Sequence, residues 1–92
     1  MISAFKHRGL RHLYQGDDHR GVNAEHASKI MAILALLDIA KRPEDMDLAT
    51  LKLHALKGGL GGFWSVTVRA NWRIIFRFEG SDATDVDYLD YY

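Results

Sequence analysis

The sequence predicts an α+β fold in which two N-terminal helices pack on one face of a twisted antiparallel β-sheet. Three observations predict it. Apolar residues recur at helical spacing before Pro43 and at strand spacing after Gly62. Two β-rich runs stand back to back, separated by only Ala70-Asn71. The chain has 92 residues, 48% of them apolar and 26% charged, a length and composition suited to one core. Residues 1–92 are therefore expected to form a single domain.

Each element follows from its local chemistry. Met1–Phe5 reads as a short strand. His7–Gln15 sets Leu10, Leu13 and Tyr14 at helical spacing, and Gly16 is a natural stop. Gly16–Gly21 is a polar turn. Asn23 suits an N-cap for a second helix over Ala24–Lys41, because its short amide can accept an otherwise unpaired backbone N–H. Ala27, Ile30, Met31, Leu34 and Leu37 make one apolar stripe on it, and Ile33, Leu36 and Ala40 widen that stripe. Pro43 ends the helix. Phe63–Arg69 and Trp72–Phe78 then alternate at period two, and Ala83–Leu89 is a third strand. Side chains alternate along a strand. Trp64, Val66, Val68, Trp72, Ile74, Phe76 and Phe78 thus form a core face. Ser65, Thr67, Arg69, Arg73, Ile75 and Arg77 form the other, so three arginines are expected to share it.

Several function classes drop out. Without cysteine there is no disulfide, zinc ribbon or thiol nucleophile. The five histidines show no paired metal spacing, so no metal site is expected. Lys57-Gly58-Gly59-Leu60-Gly61-Gly62 is not a phosphate loop. Its lysine precedes the glycines, and a strand follows where a helix is required. The longest apolar run, Ile30 to Ala40, contains Asp38 and falls well short of the roughly 20 residues of a membrane span. With Lys6 near the N-terminus and no apolar leader, the chain is expected to be cytoplasmic, with no membrane partner.

Zero net charge conceals strong segregation. Residues 51–78 carry Lys52, Lys57, Arg69, Arg73 and Arg77 and no acid. Residues 79–92 carry Glu79, Asp82, Asp85, Asp87 and Asp90 and no base. The basic stretch either attracts a polyanion or is neutralised in the fold by the acidic one; segment charge alone leaves both open. His54 lies among these cations, between Lys52 and Lys57.

These residues also carry a family likeness. Ala4-Phe5-Lys6-His7-Arg8-Gly9-Leu10 is similar to the opening of the HigB toxins. Lys52-Leu53-His54, followed by Leu56-Lys57-Gly58, resembles their central motif. The run from Trp64 to Ile74 (WSVTVRANWRI) resembles their signature hairpin nearly letter for letter, and Asp90-Tyr91 sits where that family ends. The likeness spans almost the whole chain. It implies the compact RelE-like microbial RNase fold of bacterial toxin–antitoxin systems. It further implies an endoribonuclease, or mRNA interferase, that cuts mRNA in the A site of the 70S ribosome. A HigA-like helix-turn-helix antitoxin would neutralise it, and the pair would reach operator DNA through the antitoxin.

Metal-independent RNA cleavage deprotonates a 2′-oxygen, neutralises the phosphate, protonates the leaving 5′-oxygen and holds the atoms in line. By resemblance the catalytic set is His54, Lys57, Arg73, Asp90, Tyr91 and Tyr92, with Lys52, Arg69, Asn71 and Arg77 binding RNA and no cofactor. Arginine's planar fork suits a phosphate. An imidazole is the only side chain in the set that ordinarily titrates near neutrality. Well-known relatives close on Asp-Tyr-His, whereas this chain closes on Tyr92. A phenol is only about 0.1% ionised at pH 7. The departure shifts the expected acid–base work toward His54. It also keeps two other readings in view: a non-catalytic RNA- or ribosome-binding module of the same fold, and a regulatory subunit acting with the antitoxin on operator DNA.

Overall fold

The computed structural model describes residues 1–16 and 18–90. Helix α1 spans Arg8–Gly16 and α2 spans Ala27–Ile39. A two-residue strand, β1 (His54–Ala55), precedes the three expected ones: β2 (Trp64–Arg69), β3 (Trp72–Glu79) and β4 (Asp82–Asp90). The sheet order is β1-β2-β3-β4 with every neighbour antiparallel. The architecture is thus α+β, as the change of period predicts. The expected N-terminal strand is reduced to two parallel bridges on the free edge of β4, Ile2 to Ala83 and Phe5 to Val86.

Local chemistry moves the helix ends. Asn23 does not cap α2. Its Oδ1 accepts the Glu25 N–H at 2.9 Å, and its carbonyl accepts the His26 N–H at 2.9 Å. That turn delays the helix to Ala27, because an asparagine offers its own backbone an alternative to helix. The helix closes at Ile39, where the Ala40 N–H reaches back to the Leu36 and Leu37 carbonyls. Pro43 then opens a 3-10 turn over Pro43–Met46, with its fixed φ at the first position. Strand β1 is too short to leave a periodic signal. It forms because the chain returns along β2, pairing His54 with Ser65 and Ala55 with Trp64.

The core lies between the helices and one sheet face. Leu10, Ile30, Ile33 and Leu37 meet Val66, Ile74, Phe76 and Val86, all nearly inaccessible to solvent. One corner of this layer is polar. His26 is buried, and its Nδ1 lies 2.7 Å from the Tyr88 hydroxyl. Trp72 stacks on Tyr88 with ring centroids 4.7 Å apart, and His7 meets the same tyrosine edge-on at 5.3 Å.

Two bulges decide which side chains share a face. Thr67 pairs with Arg73, but the next pair is Arg69 with Trp72, so Val68 is an extra residue in β2. Ile75 pairs with Asp87 and Arg77 with Thr84, so β4 also carries one extra residue, beside Asp85 at φ 51°. A bulge sets two residues against one and interrupts strict alternation.

Candidate nucleic-acid interface

The face turned away from the helices is built in rows, since residues directly opposite across an antiparallel pair share a face. One row runs His54, Ser65, Ile75, Asp87. A second runs Thr67, Arg73, Leu89, and Lys52 follows Leu51, whose carbonyl accepts the Thr67 N–H at 2.7 Å. A third begins where the Leu56 N–H donates to the Phe63 carbonyl and continues to Arg77 and Thr84. Among the described residues no helix covers this face, since α1 and α2 pack with Val66, Ile74 and Phe76 on the other. Ile75, Ser65 and Thr84 are nevertheless buried and lie outside the main core cluster.

The predicted site residues separate on this frame. His54 and Arg73 lie on the open face, with Lys52 at its edge. Neighbouring strands are about 4.8 Å apart, so the His54 backbone stands about 10 Å from β3. His54 is exposed, and among the described residues it forms no ion pair or side-chain hydrogen bond. Arg73 donates from Nη1 to the Ala70 carbonyl at 2.6 Å and the Trp72 carbonyl at 3.3 Å. Those partners are neutral, so they aim the guanidinium without cancelling its charge. Lys57 and Asn71 are exposed on loops, Lys57 beside a 3-10 turn over Gly58–Leu60 and Asn71 at the tip between β2 and β3.

One expectation is corrected. The three arginines do not share a face. The Val68 bulge carries Arg69 to the side of Trp72, where its Nη1 lies 3.8 Å from Glu25 Oε2 ahead of α2. Arg77 does stay on the open face, but it is paired with two carboxylates. Its Nε lies 2.7 Å from Asp85 Oδ2 and its Nη1 3.3 Å from Glu79 Oε2. The hydrogen bond to Asp85 leads in holding the guanidinium above its ordinary pKa. Asp90 ends β4 opposite Trp72, on the helix-bearing face and one residue out of line with Arg73. Tyr91 and Tyr92 lie outside the described residues.

The charge arrangement combines both readings of the acidic segment. Glu79 and Asp85 neutralise Arg77, and Asp82 lies 3.5 Å from the N-terminal amine. Among the described residues Lys52, Lys57 and Arg73 form no ion pair. The open face therefore keeps net cationic positions next to an imidazole, which is chemistry for a phosphodiester. Among the described residues no cluster of three histidine or acidic side chains could hold a metal ion, and no helix is long and apolar enough to cross a membrane.

Sequence reasoning missed Lys6 and Phe63 as members of this face. Phe5 bridges to Val86 and packs toward the core, so alternation turns Lys6 the other way. The Lys6 ammonium lies 5.7 Å from the centroid of the Phe63 ring. The only sequence signal was the placement of Lys6 beside an aromatic in the opening motif.

Comparison with known proteins adds two findings. A family model for RelE-like toxins of the type II toxin–antitoxin system HigB matches residues 3–92. A Proteus vulgaris protein named Endoribonuclease HigB is 42% identical over 92 residues, covering all of both chains.

Proposed function

Because the chain belongs to the HigB-like family of RelE-like toxins of type II toxin–antitoxin systems, we propose that it is an endoribonuclease that arrests translation by cutting mRNA. The cut falls in the ribosomal A site and needs no metal ion. A HigA-like antitoxin neutralises the protein in the cytoplasm and carries the pair to operator DNA. The observation that best supports catalysis is that one sheet face holds both an exposed imidazole, His54, and a guanidinium, Arg73, that carbonyls aim and that no carboxylate among the described residues neutralises.

The roles we assign combine that geometry with the family resemblance. Arg73 grips two non-bridging phosphate oxygens and stabilises the charge that builds in the transition state. Lys57, on its glycine-rich loop past the Leu56–Phe63 pair, adds a point charge for the RNA backbone on the other side of the His54 row from Arg73. His54 takes the 2′-hydroxyl proton as the 2′-oxygen attacks phosphorus. The 5′-oxygen leaves with a proton from a second donor, for which the tyrosines at 91 and 92 are the candidates by resemblance. Asp90, which ends β4 on the helix-bearing face, enters the set by resemblance alone. Lys52 and Asn71 hold flanking RNA, with Arg69 and Arg77 as weaker contributors because each has an acidic partner. The products are a 2′,3′-cyclic phosphate and a 5′-hydroxyl. One imidazole about 10 Å from β3 does not by itself fix an in-line geometry, so the ribosome supplies substrate orientation.

The test is cleavage of a defined mRNA on programmed ribosomes, with 5′ ends mapped by primer extension. Cuts in the A-site codon should persist in EDTA, and His54→Ala should reduce them by at least about a hundredfold, as removal of a general base does. Ligatable 5′-phosphate ends would overturn the mechanism. Growth arrest with intact mRNA would instead identify a binding module that has lost cleavage, consistent with the tyrosine at position 92.

A further inference from the structure

We propose that Lys6 and Phe63 form a second subsite on the open sheet face, which takes a nucleotide flanking the scissile phosphate: Lys6 on its phosphate and Phe63 under its base. The inference rests on the reading of this face as an RNA-binding one and extends it to the side away from Arg73.

Three observations carry it. Phe63 opposes Leu56 at the start of β2, precedes the Trp64–Phe76 pair and so sits beside Arg77, two rows along β3 from Arg73. It is only half-buried and lies outside the core cluster, so packing in the core does not account for it. Lys6 projects over its ring from the far edge of the sheet, its backbone N–H held by the Val86 carbonyl at 2.8 Å. Finally, Arg77, beside Phe63 in the same row, is committed to Asp85 and Glu79, while Lys6 has no carboxylate partner among the described residues. A half-buried aromatic ring beneath an unneutralised ammonium is the chemistry by which single-stranded nucleic acid is held without sequence readout: a π-face for any base and a charge for its phosphate.

The probe is a fluorescein-labelled single-stranded RNA decamer, titrated by anisotropy at several salt concentrations. The protein carries His54→Ala so that the probe survives. Lys6→Gln should weaken binding about tenfold. It should also reduce the slope of log affinity against log salt by about 0.7, the value for one phosphate contact on a single strand. Lys6→Arg should preserve both. Phe63→Leu should weaken binding at least about fivefold and leave the salt slope unchanged, because stacking releases no counterion.

If Lys6 and Phe63 instead form a latch that only ties the N-terminus to the loop, the substitutions will lower the melting temperature. Affinity and salt slope will then not change, and the subsite is refuted. Failure of the decamer to bind even at low salt also refutes it. Ribosomal cleavage by the unsubstituted chain separates these failures from failure of the underlying reading. A-site cuts with a Lys6-independent salt slope sink the subsite alone, and absence of cuts sinks the proposed function.

Discussion

At residue scale, His7 shows how one side chain couples an aromatic corner to a helix. Its Nδ1 accepts the Leu10 N–H at 3.2 Å, capping the first turn of α1. Only an imidazole unprotonated at Nδ1 can do this. Burial lowers its pKa, against the opposing pull of Asp87. The unfolded chain then binds the proton more readily than the folded one. This contribution is complete above about pH 6.5 and is lost as pH falls below it toward the depressed folded value. His7→Asn retains an acceptor and removes the titration. Urea unfolding should place wild type and variant close at pH 8 and show wild type losing more stability by pH 5.5. His7→Ala should cost about 1 kcal/mol at pH 8. The other informative residue is Tyr92. If proton transfer limits the rate, Tyr92→His should keep or raise cleavage, measured on the same programmed ribosomes. A large fall would show that the phenol makes its own contact.

At element scale, α1 depends on a close backbone crossing. A Cβ on Gly9 would overlap the Gly21 carbonyl, so α1 and the following turn meet only because both residues lack side chains. Gly9→Ala should destabilise by about 2 kcal/mol, the order of an overpacked contact that the backbone must move to relieve. At the other end of the same helix, a Cβ on Gly16 meets nothing within 4 Å. Gly16→Ala should be neutral or slightly stabilising. Thermal melts of the two variants make the comparison, with a drop of about 10 °C expected for the first and almost none for the second. The strands teach a complementary lesson. β2, β3 and their two-residue turn were legible, because alternation and β-branched content are local properties. The face of Arg69 was not. Alternation counts residues, and the bulge at Val68 inserts one that no local signal announced.

At the scale of the whole molecule, Asp38 joins pieces that are distant in sequence. Its Oδ1 accepts the Ile2 N–H at 3.1 Å and the Tyr14 hydroxyl at 2.6 Å, tying the N-terminal segment and α1 to α2. The Tyr14 hydrogen bond leads in lowering the Asp38 pKa, with the Ile2 N–H next. The stability it confers is present above the unfolded carboxyl value of about 3.9 and is lost as pH falls through the folded one. Asp38→Ala should cost about 1 kcal/mol, because solvent competes for its partly exposed oxygens, and lower the melting temperature by about 4–8 °C. The same scale settles the charge pattern. The acidic C-terminal segment folds against the basic hairpin and quenches Arg77, while Lys6, Lys52, Lys57 and Arg73 stay unpaired among the described residues. A chain of zero formal charge thus retains a cationic face.

What the sequence determined by itself was the class of fold, the approximate helix and hairpin positions and the family. All of these depend on neighbours within a few positions, or on motifs that survive as strings. Only the tertiary structure decided which cations face the same way, which are already neutralised and which distant residues join them. Those outcomes depend on strand register, on single-residue bulges and on the parallel docking of the N-terminal segment against β4. Each is fixed by packing between segments far apart in the chain. A one-residue slip sends a side chain to the opposite face while leaving the local sequence pattern unchanged.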